Sequence, residues 1–223
     1  MMEAGSGGQP DTNPTQRADM MPTKARTYWF GILLGGAVLI GCYAFIVRPW
    51  HAGWGATAQE QGMPLPGDSL GAGAPAVTTR AVTIHAPARV TWQWLVQIGQ
   101  GRGGWYSYDW MENLFGADMH NAGKIEPSLQ QIAVGDPILF TQMGLHATVA
   151  GIEPQRALVL DGGWTFYLEP VDNENTRLIV RYFCKDHPLY YFTIFEPAHF
   201  LMESGMMLGL KARAESSFVE EAL

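Results

Sequence analysis

Three side chains suited to acid–base chemistry lie close together along the chain: Asp109, Glu112 and His120. Carboxyl and imidazole groups transfer protons in catalysis when a partly dry pocket holds them together and shifts the pKa of each group. The spacing brings these three groups near one another in sequence only. An enzyme that uses them is therefore one hypothesis, and two helix-surface carboxylates with a loop histidine are the alternative.

The first of these candidates, Asp109, lies in a stretch that is rich in glycine and aromatic residues, 98–110, and the other two follow it. Its four glycines lack a Cβ atom, so the backbone there can adopt positive φ and approach other groups closely. The aromatic side chains that follow each have a large apolar face and one hydrogen-bonding group; they are Trp105, Tyr106, Tyr108 and Trp110. The pattern predicts that they line a pocket for a hydrophobic ligand, and the alternative is that they fill the core.

Three further residues complete the predicted ligand-binding set. Arg102 lies among the glycines, where it could bind a carboxylate or phosphate head group or pair with Asp109 or Glu112. Met202 and Met206 lie in a predicted C-terminal helix, and their flexible side chains could form an adaptable pocket floor or pack the core.

The glycines at 99, 101 and 104 have the spacing of a dinucleotide-binding loop. That loop follows a strand and opens a helix within a parallel unit, whereas here a helical pattern precedes the glycines and an aromatic run follows them. We therefore predict no cofactor.

Glu196, His199 and Glu203 share helical spacing and could face one another. A carboxylate-bridged metal site needs a second Glu-x-x-His motif and further glutamates on other helices, and the sequence has only this one. We predict a local ion pair here and no metal site.

The charge distribution makes nucleic acid a poor partner. The chain of 223 residues has a formal charge of −7. Only 4 of its 14 Lys and Arg and 3 of its 21 Asp and Glu lie in residues 1–48, which leaves a formal charge of −8 on the remainder. Nucleic-acid binding depends on neutralising phosphates with basic side chains, so we expect no nucleic-acid partner.

The 19 residues from Trp29 to Val47 carry no charge. A helix of that length rises about 28 Å, close to the hydrocarbon thickness of a bilayer. The apolar core of a cleaved signal peptide, which is the alternative, is usually shorter. Arg17, Lys24 and Arg26 precede the run and Arg48 alone follows it closely, so the positive-inside rule favours a cytoplasmic N-terminus and an extracytoplasmic domain.

The rest of the chain predicts an α+β domain. Alternating apolar residues and short turns predict an antiparallel meander. Its strands are predicted at 78–84, 137–141, 146–153, 157–160, 164–170 and 176–184. Short helices are predicted at 87–98 and 107–115, and a long helix from Pro197 to about Val219. We divide the chain into a disordered tail (1–27), a transmembrane helix (28–48), a linker (49–76) and a folded domain (77–223). Such a sheet must bury one face, and the long helix can cover it.

The sequence resembles the SRPBCC superfamily, also described as START, Bet v 1-like or polyketide cyclase/dehydrase-like, and within it bacterial membrane-anchored members of unassigned function. The resemblance covers about residues 54–215, and its most specific block is Gly99-Gln-Gly-Arg-Gly-Gly-Trp-Tyr106. Supporting stretches are 54–57, 65–68, 79–84, 94–114, 135–136, 153–160, 176–178, 196–200 and 211–215.

The resemblance implies a helix-grip fold, in which a seven-stranded antiparallel sheet wraps a C-terminal helix around a cavity for a hydrophobic small molecule. It supplies no shared catalytic residue, and a fold does not settle function. The preferred hypothesis is thus a membrane-anchored domain that binds or carries a hydrophobic small molecule or lipid. A cyclase- or hydrolase-type enzyme and a non-catalytic interaction module are the alternatives.

Overall fold

The structure, a computed structural model, describes residues 23–114, 116–184 and 195–221. Contacts divide the chain into two compact units, residues 1–48 and 49–223. Within the described part of the first unit, helix α1 spans Thr23–Cys42 and a π-helical turn spans Tyr43–Val47. Helix α1 therefore begins inside the segment predicted as a tail, and residues 1–22 of that tail lie outside the described residues.

One helical stretch in the described chain, Tyr28–Ala52, is long and apolar enough to cross a membrane. Its mean hydropathy is 2.3, and none of the apolar window is buried in the structure. It ends with the short helix α2, Arg48–Ala52. Length and composition agree with the predicted span.

A six-stranded antiparallel sheet forms the framework of the second unit. Its strands are β1 (Ala76–Ile84), β2 (Pro137–Leu139), β3 (His146–Glu153), β4 (Ala157–Leu160), β5 (Trp164–Pro170) and β6 (Thr176–Cys184). Their order in the sheet is β1-β6-β5-β4-β3-β2. All six predicted strands are present among the described residues, and no seventh strand, which the resemblance implies, is found among them.

The second unit also contains the helices α4 (Ala88–Val96), α5 (Asp109–Leu114) and α6 (Glu196–Glu221). Of these, α4 and α6 pack with the sheet. The buried face of α6 contributes Met206, Met207, Leu210 and Ala214 to the main core, together with inward residues of the sheet. Indole Nε1 of Trp94 donates to Ser217 at 3.1 Å, which joins α4 to the last turns of α6. The sheet wrapped on a long C-terminal helix confirms the predicted α+β helix-grip architecture.

The segment 49–76 packs on the outer face of β1 and β6. It contains helix α3 (Ala58–Gly62), whose N-terminus has a capping box made by Thr57 and Glu60. Leu65 enters a small core on this face with residues of the strands. The guanidinium of Arg181, on β6, donates to both carboxylate oxygens of Asp68 and to three backbone carbonyls of residues 60–63. The predicted linker is thus fastened to the sheet.

Candidate functional site

A cavity of about 500 Å³ lies between the inner face of the sheet and helix α6. Helix α6 supplies one wall with Ala198, His199, Met202, Glu203 and Met206. The opposite wall comes from the sheet and its loops, with Phe140, Ala147, Gly162, Trp164 and Tyr182. The remaining lining residues include Trp105, Leu145 and Glu112, the last of them on α5.

The glycine-rich stretch supports one side of this cavity. Gly99 and Gly104 form an antiparallel bridge, and both have positive φ, 119° and 77°. This tight turn leads directly into Trp105, whose Nε1 donates to the carbonyl of Leu139 at 3.1 Å. A Cβ on Gly104 would lie 2.7 Å from the carbonyl oxygen of His120, so the glycine permits a close backbone approach that fixes the loop.

Three nearly parallel aromatic rings form a wall of the cavity. The rings of Trp105 and Phe140 are 5.1 Å apart with an interplanar angle of 13°, and those of Trp105 and Trp164 are 5.3 Å apart with an angle of 10°. Offset stacking of this kind is favourable for aromatic pairs. The wall is therefore a rigid apolar surface on which a flat or flexible hydrophobic molecule can pack.

A buried charged cluster adjoins the cavity beside helix α6. Nη1 of Arg80, on β1, donates to Glu203 Oε2 at 3.0 Å, and both side chains are fully buried. Nε of Arg80 donates to the carbonyl of His51 at 2.8 Å, and its guanidinium lies 5.1 Å from the ring centroid of Phe200. Arg80 is thus held on several sides, although its Nη2 is buried without a hydrogen-bond partner among the described residues.

His199 lies within the same cluster, one turn before Glu203. Its Nδ1 is 3.4 Å from Glu203 Oε2 and 3.5 Å from Arg80 Nη1. Three rings surround the imidazole, with centroids 4.5 Å away at Tyr182, 5.2 Å at Trp164 and 5.3 Å at Phe195.

Burial sets the protonation states in this cluster. It lowers the pKa of His199 to about 3, and the charge of Arg80 acts in the same direction. It raises the pKa of Glu203 to about 7, although the charge and hydrogen bond of Arg80 oppose the shift. At neutral pH His199 is therefore uncharged, and its contact with Glu203 is not an ion pair. The ion pair predicted within this helix is instead made by Glu203 with Arg80.

Glu112 lies at a second place on the cavity lining. Burial raises its pKa to about 7, and the nearby charge of Asp109 contributes to the shift. Among the described residues, its Oε2 and the hydroxyl of Thr141 are buried without hydrogen-bond partners. Both residues line the cavity, so it has polar groups in two places.

Of the residues predicted from sequence, Trp105, Glu112, Met202 and Met206 line this cavity. The other two catalytic candidates do not join Glu112 there. Asp109 is exposed, and its carboxylate accepts from the backbone N–H of Trp110. His120 has 82% of its side chain exposed, and its Nε2 lies 3.2 Å from Asp118.

The remaining predicted ligand-binding residues lie outside the lining. Tyr106 is buried and its hydroxyl donates to the Trp94 carbonyl. Arg102 donates to the carbonyls of Val96 and Leu129 and pairs with neither of the carboxylates considered for it. Tyr108 and Trp110 are 38% and 68% exposed.

Sequence reasoning did not bring Arg80 into the site. A signal was present, because Arg80 shares the period-2 face of Val82 and Ile84, which are core residues. A charged residue on the buried face of a strand needs a partner. That partner is 123 residues away in sequence, and no local pattern identifies it.

Among the described residues, no group of three or more His, Cys, Asp or Glu side chains could hold a metal ion. Of the two cysteines, Cys42 is exposed and Cys184 is buried.

No family model matches the chain, and no curated protein matches it either. Solved structures similar to the chain include a protein of Arthrobacter aurescens, with 12% identity and a TM-score of 0.37 over 69% of this chain and 90% of that chain. CalC, a self-sacrificing resistance protein of Micromonospora echinospora, has 13% identity and a TM-score of 0.37 over 65% and 95% of the two chains. A Polyketide_cyc-like protein of Corynebacterium glutamicum has 16% identity and a TM-score of 0.35 over 66% and 95%. At these TM-scores the similarities carry no argument for function; the sheet order and the C-terminal helix define the fold.

Proposed function

We propose that the protein is a membrane-anchored domain of the SRPBCC type that binds or carries a hydrophobic small molecule or lipid. The observation that supports this most directly is the cavity of about 500 Å³ between the sheet and α6. Ligand pockets commonly measure about 300–1,000 Å³ and are mostly apolar with a few polar groups. A well-packed interior contains few voids larger than a water molecule, so a space of this size favours a bound guest over a purely structural domain.

The anchor in the proposal is the apolar helical stretch Tyr28–Ala52. The basic residues that precede it favour an extracytoplasmic position for the second unit. A lipid or another membrane-soluble compound is a natural ligand for such a domain, because the bilayer concentrates it close to the protein.

A cavity-filling variant tests the binding function. Ala147, on β3, is 5% exposed and lines the cavity, whereas Ala150 on the same strand is exposed. We expect Ala147→Trp to occupy the cavity and Ala150→Trp to leave it open. The full-length variants would be placed in nanodiscs of one synthetic lipid, incubated with dodecanol and examined by native mass spectrometry.

We expect wild type and Ala150→Trp to carry one saturable dodecanol adduct, and Ala147→Trp to lose it by at least about tenfold, which corresponds to about 1.4 kcal/mol of binding free energy. Near-ultraviolet circular dichroism would verify that each variant is folded. Failure of the folded wild-type protein to retain any of several amphiphiles, or equal retention by folded Ala147→Trp, would contradict the proposal.

A cyclase- or hydrolase-type enzyme is the second candidate, and one observation favours it. Two carboxyl groups on the lining, Glu112 and Glu203, have their pKa raised to about 7, which is the range in which a carboxyl group serves as an acid or a base near neutral pH. A bell-shaped pH dependence of turnover, abolished in Glu112→Gln, would support this candidate once a converted compound is found.

A further inference from the structure

We infer that the part of the cavity lined by Trp164 and Glu203 binds a neutral hydroxyl head group, which accepts a hydrogen bond from the ring N–H of Trp164 and donates one to the carboxyl group of Glu203. The inference rests on the proposed function, because it names the ligand class for the same cavity.

The first half of the site is the indole of Trp164. This residue is 9% exposed and lines the cavity. Its Nε1 is buried and has no hydrogen-bond partner among the described residues. The ring N–H of Trp105, in the same stack, is satisfied by a backbone carbonyl. An indole nitrogen is a donor only, so Trp164 requires an acceptor from the ligand.

The second half of the site is the carboxyl group of Glu203. The residue is 1% exposed and also lines the cavity. Its Oε2 accepts from Arg80, whereas Oε1 is buried without a partner in the described part of the chain. Because Arg80 holds the other oxygen at 3.0 Å, Oε1 is positioned as an acceptor for a group in the cavity.

His199 connects the two halves. Its ring centroid lies 5.2 Å from that of Trp164, and its Nδ1 lies 3.4 Å from Oε2 of Glu203. The unpaired ring N–H of Trp164 and the unpaired Oε1 of Glu203 therefore belong to one cluster beside the same space. The imidazole is uncharged at neutral pH, because burial and Arg80 lower its pKa to about 3, and it adds no charge to the site.

The ligand group must accept one hydrogen bond and donate another, and a hydroxyl does both. An ionised carboxylate has no proton to donate to Oε1 of Glu203, and it is repelled by the ionised form of that residue. An ammonium group cannot accept from Trp164 and adds a cation near Arg80. A hydrocarbon leaves both groups unsatisfied, and leaving a buried polar group unsatisfied costs enough to lower affinity about tenfold or more.

Competition among compounds of one chain length tests the head group directly. The full-length protein in nanodiscs would be offered equimolar pairs of dodecanol with dodecane, methyl dodecyl ether, dodecanoic acid or dodecylamine. Native mass spectrometry would report the ratio of bound species. We expect dodecanol to exceed each competitor by about tenfold.

Two matched variants assign the selectivity to the indole of Trp164. Trp164→Phe keeps an aromatic ring but removes the free donor, and we expect it to reduce the preference for dodecanol over dodecane about tenfold. Trp105→Phe changes the same aromatic stack. The ring N–H that this variant removes donates to a backbone carbonyl and not to the cavity, so we expect the variant to alter the binding of dodecanol and of dodecane by the same factor.

The outcomes separate this inference from the function on which it depends. If no compound binds the folded protein, the proposed binding function fails. If all five bind equally well, or if the acid or the amine is preferred, the cavity binds amphiphiles but the hydroxyl site is wrong. An unchanged preference in folded Trp164→Phe would likewise overturn it.

Discussion

At the residue scale, the least ordinary feature is a fully buried arginine on a core strand. Taking an ion pair out of water costs several kcal/mol per ion, and hydrophobic residues of similar volume are often equally or more stable. Arg80 and Glu203 therefore contribute little net stability through their charges. In the proposed hydroxyl site, their role is to hold one carboxyl oxygen in a fixed place beside the cavity.

Arg80→Met should lower the free energy of unfolding by about 3–5 kcal/mol, because it leaves Glu203 buried without its partner. Without Arg80, which opposes the shift, the pKa of Glu203 should rise further. The pKa of Glu203 is 4.5 when unfolded and higher in the folded protein. The free energy of unfolding therefore falls as the pH rises from 4.5 through the folded pKa, and the contribution of this carboxyl group is least favourable at high pH.

The loss of unfolding free energy in Arg80→Met, relative to wild type, should therefore be smaller at pH 5 than at pH 8. Urea unfolding of the full chain would measure it. Adding Glu203→Leu to the variant should recover part of the loss, because no buried charge then remains unpaired. An equal deficit at both pH values would show that the charge of Glu203 plays no part.

Glu112 gives a second test at this scale, with Asp109 as its partner. The charge of Asp109 contributes to raising the pKa of Glu112, so Asp109→Asn should lower that pKa below its wild-type value of about 7 while burial still keeps it above 4.5. Carbon-13 NMR of labelled glutamate side chains would measure the shift. Asp118→Asn, which changes an exposed carboxylate a few residues beyond α5, should leave the pKa unchanged.

At the element scale, the strands and a few lining residues could be predicted from sequence, but most of the cavity lining could not. Alternating apolar residues and turn residues are local signals, and all six predicted strands appear in the described chain. The cavity depends on long-range packing, since Arg80 and Glu203 are 123 residues apart. Trp105 and Trp110 show the same limit: both belong to one aromatic run, yet one lines the cavity and the other is 68% exposed.

Two glycines of α6 determine how closely this helix approaches the glycine-rich stretch. A Cβ on Gly209 would lie 1.9 Å from the carbonyl oxygen of Tyr106, whereas a Cβ on Gly205 would meet side-chain atoms of Tyr108 and Ser107 at 2.8 Å and 3.0 Å. The backbone carbonyl of Tyr106 can shift only at a high cost in energy, whereas the partly exposed ring of Tyr108 can adjust at a low cost.

Gly209→Ala should therefore destabilise the protein by at least about 1–3 kcal/mol, as expected for overpacking. Gly205→Ala should be close to neutral, because the gain in helix propensity of about 1 kcal/mol offsets the adjustment of Tyr108. Urea unfolding of both variants would measure the difference, and equal effects would contradict this view of the interface.

Arg181 has a comparable role on the outer face, where it fastens residues 60–68 to β6 through hydrogen bonds to Asp68 and backbone carbonyls. Arg181→Met should increase amide hydrogen exchange in residues 57–70 and leave helix α4 protected, because α4 packs on the other side of the sheet. Hydrogen–deuterium exchange with peptide-level mass spectrometry would detect this. Uniform deprotection of the whole unit would show instead that Arg181 supports the entire sheet.

At the scale of the whole molecule, the apolar helix and the cavity suggest a common purpose. The span Tyr28–Ala52 is followed after a short segment by the sheet. If the proposed anchor holds the domain at one bilayer surface, the domain should encounter membrane-soluble compounds at high local concentration. Its acidic character, with a formal charge of −8 after Arg48, disfavours binding to anionic lipid head groups, so the membrane association should depend on the helix.

The helix should therefore make the protein an integral membrane protein with its second unit on the extracytoplasmic side, as the three basic residues before the span favour. In a bacterial host, alkaline phosphatase fused after Leu223 should be active and the same enzyme fused before Met1 should not, because this reporter folds only outside the cytoplasm. High salt should not release the protein from membranes, since apolar insertion does not depend on charge. Replacing Arg17, Lys24 and Arg26 with glutamine should weaken the orientation bias and lower the activity of the C-terminal reporter. If the N-terminal fusion of the unaltered chain were active instead, the proposed topology would be reversed and the cavity would lie in the cytoplasm.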